Sequence, residues 1–235
     1  MRPVLVVLLI ALSTACASRR ASPPAYVQAA EVRRAEVRSP ADVPGDWLLA
    51  FIDVETTGLV PGWHEMIDIG IALATVDGHV LDTLFLRIQP LHPERLSPGA
   101  RAVNAFDADR WKTLGALGPV AAADSIVAFH RRVAGSKPTL MVAFNSQFDA
   151  AFLDHLFRES GRSWREMYHY FVLDLPSMAW SLGLRDLRAD LLAQRLGVPD
   201  EPHVAEQHTG ITGAMVNVRI YQALLRLPAG STPGR

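Results

Sequence analysis

Asp53 and Glu55 stand two residues apart at the end of the apolar run Trp47 to Val54. In an extended chain, residues i and i+2 share a face, so both carboxylates project from one side of a core strand. Thr56-Thr57-Gly58 follows, and Gly58 is free to turn the chain. Carboxylates side by side repel and are costly to desolvate. A divalent cation relieves both costs, and hard oxygen ligands suit Mg²⁺ or Mn²⁺. Taken alone, Asp-x-Glu reads more simply as a strand end with two solvated acids. Its partners downstream change that balance.

The second cluster is Val142 to Leu153. A buried strand ends at Asn145, and Asp149 falls in the first turn of the next helix, where the helix N-terminus favours a carboxylate. A helix-start Asp is common. Asn145 four places earlier and Phe148 immediately before it strengthen the functional reading. The third cluster, His203-Val204-Ala205-Glu206-Gln207-His208, opens the last long helix. Two His residues five apart on a helix differ by roughly 140° net, so they do not stack on one ion, and Glu206 lies about 200° from His208.

The elements that position these groups read as follows. Strands are expected over Trp47 to Val54, Met66 to Thr75, Val80 to Ile88, Leu140 to Phe144 and Tyr170 to Leu173. Asp77-Gly78 marks a hairpin turn. Helices are expected over Ala100 to Asn104, Ala108 to Leu114, Val120 to Val133, Gln147 to Arg158, Leu187 to Leu196 and His203 to Leu225. Three strands in meander followed by strands alternating with helices describe an α/β fold with a mixed sheet. The carboxylates then sit at the C-terminal end of the first strand, where open α/β sheets place their sites.

The chain has 235 residues and a net charge of −1, which leaves no bulk basic footprint of the kind a non-specific DNA coater carries. Met1-Arg2, the apolar run Val4 to Leu12 and the small residues Ser13 to Ala17 have the layout of a signal peptide. Residues 18–46 form a Pro/Ala/Arg-rich tether, with a short helix expected over Ala29 to Val37, and residues 228–235 a disordered tail. Cys16 is the only cysteine, so the chain has no internal disulfide. Leu12 to Cys16 resembles a bacterial lipoprotein box, which makes Cys16 a lipidation candidate and the membrane a partner. Cleavage after Ala17 is the competing reading. Either way the expectation is an exported protein of the periplasm or cell envelope.

Together these motifs resemble the DEDD-type 3′–5′ exonucleases of the RNase H-like superfamily. The likeness is greatest to the His-containing (DEDDh) branch that holds the DNA polymerase III proofreading subunit and RNase T. Asp53-x-Glu55-Thr56-Thr57-Gly58 matches the first motif, and Asn145-x-x-Phe148-Asp149 the second. Met66 to Gly70 resembles the second strand of the family, and His203 the His of the third motif. The resemblance implies an RNase H-like mixed five-stranded sheet flanked by helices. It also implies two divalent ions about 3.5–4 Å apart and single-stranded DNA or RNA 3′ ends as substrate. Asp53, Glu55 and Asp149 would be metal ligands and His203 the general base. Thr56, Thr57, Asn104 and Asn145 would lie at the nucleotide. Three positions depart from the pattern. His208 stands where the family has its last Asp, Phe144 where a His often precedes Asn145, and Val103 to Phe106 where a His-Gly-Ile stretch is common. A nitrogen ligand at His208 would favour Mn²⁺ over Mg²⁺. The alternative is a catalytically impaired envelope lipoprotein that keeps the fold to bind nucleotides or nucleic acid.

Overall fold

The computed structural model describes residues 22–31, 38–202 and 204–227. Cys16, His203, the signal segment and the expected tail from 228 lie outside the described residues. Five strands form one sheet. They are β1 (Leu48–Thr56), β2 (Met66–Thr75), β3 (Val80–Arg87), β4 (Thr139–Ala143) and β5 (Tyr168–Asp174), in the order β3-β2-β1-β4-β5. β1 is central because both of its faces are apolar. Leu48 to Ile52 are all buried. β2 and β3 run antiparallel, as the Asp77-Gly78 turn requires, while β4 and β5 are parallel to β1.

Alternation sends the two faces of β1 into different cores. Leu48, Ala50, Ile52 and Val54 pack with Ile126 and Phe129 of α4 (Pro119–Ala134) and Phe152 of α5 (Ser146–Glu159). Leu49 and Phe51 pack with Leu175 of α6 (Leu175–Ser181), Leu192 of α7 (Ala189–Leu196) and Ile220 of α8 (Gly210–Leu225). Asp53 and Glu55 continue this second face, toward α8. Two short helices, α2 (Pro98–Asn104) and α3 (Ala108–Thr113), with Phe106 between them, cover the start of β2, where Phe106 and Trp111 pack with Ile67. At the N-terminus α1 (Ala25–Glu31) rests against the Trp164–Glu166 turn. It starts four residues before the expected Ala29, and residues 32–37 lie outside the description.

Three boundaries differ in ways that matter. β1 runs two residues past Val54, so Glu55 and Thr56 lie within the strand. α6 was not expected; Asp174 starts it by accepting from Ser177 N–H at 3.1 Å, with Pro176 in its first turn. The last helix begins at Gly210, not His203. Thr212 Oγ1 accepts from Thr209 N–H at 3.1 Å and fixes that start, while residues 204–207 form a bend and turn. The helical angles expected between His203, Glu206 and His208 therefore do not apply.

Candidate functional site

β1 outruns its parallel neighbour. Pairing with β4 stops at Phe51 opposite Val142, and β4 ends at Ala143. Beyond that point Val54 N–H has no strand to bond, and Asp149 Oδ1 accepts it at 3.1 Å. Asn145 makes this possible: its left-handed backbone (φ 64°, ψ 54°) turns the chain from β4 into α5, whose first turn carries Asp149. Asp149 thus reaches over the end of the sheet from one face while Asp53 projects from the other.

Among the described residues nothing donates a hydrogen bond to the Asp53 carboxylate. It packs against Gly213 so closely that a β-carbon there would lie 2.3 Å from Oδ2. Burial, then the charges of Asp149 and Glu55, push the Asp53 carboxyl well above the usual carboxylate range. Burial does the same to Asp149, against the opposing pull of two backbone N–H groups. Among the described residues no basic side chain forms an ion pair with either acid, and one cation bound by both would balance their charge.

Glu55 is satisfied differently. Its Oε1 lies 3.0 Å from His208 Nε2. Its Oε2 accepts from Asn104 Nδ2 at 3.2 Å. Asn104 also donates to Thr56 O at 3.0 Å and accepts from Phe106 N–H at 3.2 Å, so its amide is fully used. The other nitrogen of His208, Nδ1, lies 3.3 Å from Glu201 Oε2. The hydrogen bond to Glu55 leads in pushing the His208 imidazole up to about 9, with the charges of Glu55 and Glu201 adding to it.

Opposite Glu55 across the β1–β2 ladder stands Asp68. It is 1% exposed. Its Oδ1 accepts from Gly210 N–H at 2.8 Å, and its Oδ2 has no hydrogen-bond partner among the described residues. Burial, then the Glu55 charge, raise it to about 8.

The sequence reading placed several of these groups in other roles. Asn104 was expected at the nucleotide, but it is buried and holds Glu55. Thr57 was expected there too. It is fully buried, and its hydroxyl accepts from Glu65 N–H at 2.9 Å to close the β1–β2 connection. Thr56 Oγ1 donates to Gly58 O at 2.7 Å within the same turn. Asn145 remains exposed at the sheet end. His208 was expected to ligate a metal; its ring lies between the Glu55 and Glu201 carboxylates, with Nε2 3.0 Å from the first and Nδ1 3.3 Å from the second. Among the described residues, no three His, Cys, Asp or Glu side chains are arranged to hold a metal ion. Sequence reasoning missed Asp68, Glu201 and Asn217, whose amide donates to Ile52 O at 3.1 Å. Asp68 left a signal, a lone acid inside the apolar stretch of β2. Glu201 and Asn217 left none.

No protein-family model and no curated protein sequence matches the chain. Solved structures do. E. coli exonuclease I in complex with a dT13 oligonucleotide superposes with a TM-score of 0.63 at 15% identity, over 76% of this chain and 41% of that one. The zinc-ion-bound form of the E. coli exonuclease I–ssDNA complex gives 0.62 at 16% identity, over 75% and 40%. Exonuclease I in its apo form gives 0.61 at 13%, over 75% and 41%. The fold is the RNase H-like exonuclease fold. This chain spans about two fifths of the length of those proteins.

Proposed function

We propose that the protein is a metal-dependent 3′–5′ exonuclease of the DEDDh kind, hydrolysing phosphodiester bonds at single-stranded DNA or RNA 3′ ends. The observation that carries this reading is the Asp53–Asp149 pair, two carboxylates brought to the end of the sheet from its opposite faces and both pushed well above the usual carboxylate range. These two would hold a divalent ion, which when bound polarises a phosphodiester and lowers the pKa of a water. Gly213 leaves room for Asp53, and the Val54 N–H fixes Asp149, so neither side chain has to reorganise to meet a ligand. With His208 committed elsewhere the donors are oxygens, and Mg²⁺ serves as well as Mn²⁺. Asn145, exposed at the end of β4, would meet a terminal nucleotide. His203 completes the motif as general base, a task suited to imidazole. The single-stranded oligonucleotide bound by exonuclease I supports the substrate class.

One observation favours a second reading, an impaired site that binds nucleic acid without cutting it. Glu55, a metal ligand by resemblance, is already paired with His208. A 5′-labelled oligonucleotide separates the two readings. The purified protein is expected to shorten it stepwise from the 3′ end with Mg²⁺, and Asp53→Asn to abolish this. Retained binding without shortening, with any metal, selects the second reading.

The layout of Met1 to Ala17 supports placing this activity in the cell envelope, anchored through Cys16. Palmitate labelling that Cys16→Ser abolishes is the expected result. An unlabelled periplasmic protein would point to cleavage after Ala17.

A further inference from the structure

We infer that this site takes one divalent ion rather than two, because the His208 and Asn104 side chains between them hold the two Glu55 oxygens that a second ion would need. The inference rests on the exonuclease reading and specifies its metal content. A second ion beside Asp53 would draw on Glu55 and on the position five residues after His203. That position is His208, and it faces Glu55 Oε1 at 3.0 Å. The other Glu55 oxygen accepts from Asn104, whose buried amide is held in place by its bonds to the Thr56 carbonyl and the Phe106 N–H. The far side of the imidazole is closed by Glu201 at 3.3 Å, itself braced by Thr212 Oγ1 at 3.3 Å. The ring thus fills the gap between the two carboxylates and stands in the way of an ion approaching Glu55 Oε1.

Asp68 does not rescue the second position. One oxygen is taken by Gly210 N–H, and the residue is enclosed between β1, β2 and the start of α8. The Asp53–Asp149 pair is different in kind, since among the described residues no basic side chain forms an ion pair with either acid, and each meets the charge of its acidic neighbours. The arrangement therefore divides the acids into two groups. Glu55 and Glu201 are matched by His208. Asp53 and Asp149 are matched by an ion from solution.

The test counts Mn²⁺ bound to the full-length protein by equilibrium dialysis and by the loss of the free-Mn²⁺ electron paramagnetic resonance signal. Hydrolysis of a labelled oligonucleotide is read in parallel. One Mn²⁺ per chain is expected for the natural protein and two for His208→Asp, which removes the imidazole and returns an oxygen donor. Circular dichroism checks that the variant folds. Two ions on the natural protein, or one on a folded His208→Asp variant, overturn the inference. If that variant fails to fold, the count on the natural protein decides alone. Two ions with hydrolysis overturn the inference and leave the exonuclease reading standing. One ion without hydrolysis does the reverse. No bound ion overturns both.

Discussion

Gly70 of β2 and Gly210 of α8 touch backbone to backbone: a β-carbon on Gly70 would come within 2.2 Å of the Gly210 carbonyl. This contact seats the first turn of α8 on the sheet beside Asp68, and His208 lies just upstream of that turn. Gly70→Ala has no flexible neighbour to displace. It is expected to destabilise the protein by about 1–3 kcal/mol, the range for overpacked cores, measured by denaturant unfolding. An unchanged midpoint would mean that α8 is seated by its other contacts.

Gly213→Ala should separate function from stability. The new methyl would meet the Asp53 carboxylate at 2.3 Å. Asp53 can swing aside, and Ala favours the helix by about 1 kcal/mol over Gly, so the melting temperature should hardly move. Hydrolysis should fall by about a hundredfold, as expected for a displaced ligand. A variant as active as the natural protein would remove Asp53 from the proposed chemistry.

Divalent metal should stabilise the fold through Asp53. At a hundred times its dissociation constant an ion adds about 2.7 kcal/mol to folded stability. A thermal scan with Mg²⁺ should therefore rise well above one with chelator, and Asp53→Asn should erase the difference. A rise that survives Asp53→Asn would place the ion elsewhere.

Asn104 bears on Glu55. Asn104→Ala leaves Glu55 Oε2 and the Thr56 carbonyl without their donor, at a cost of about 1–3 kcal/mol. Asn104→Asp puts a further acid against Glu55 and should be worse at neutral pH. Equal stabilities for the two variants would show that charge does not matter there.

The pH dependence has a definite sign. His208 rises from 6.5 to about 9 on folding, so the folded protein holds that proton more tightly than the unfolded chain. Its contribution is complete below about pH 6.5 and is lost as pH rises through about 9. Asp68 rises from 3.8 to about 8 and acts in the same direction, with its contribution complete below 3.8 and lost through about 8. The metal-free protein should melt at progressively lower temperature from pH 6.5 to 9, and His208→Ala should flatten the upper part of that curve. A melting temperature that climbs over this window would contradict the ion pair.

The sheet was legible in the sequence because β1 and β2 are apolar on both faces, and β2 begins at Met66 and ends at Thr75 as its pattern predicts. The positions of Asp53 and Asp149 at the sheet end were legible for the same reason, since each sits on or beside a strand end. The start of α8 was not. The approach to it, Val204 and Ala205, offers no break, and the stop comes from Thr209 capping and from His208 turning inward to Glu55 and Glu201. Asp68 and Asn104 escaped because their roles depend on cross-strand register and on a loop folding back, neither of which leaves a periodic trace.

The early end of β4 makes the last stretch of β1 a gauge of the site. Where a neighbouring strand would have supplied a carbonyl, Asp149 supplies a carboxylate, and a carboxylate can gain a proton or an ion. The Val54 amide therefore hydrogen-bonds to a group whose charge varies with pH and metal. Its nitrogen resonance should track occupancy of the site with no substrate present. It would work equally well in variants that cannot turn over, so ion binding can be followed separately from hydrolysis.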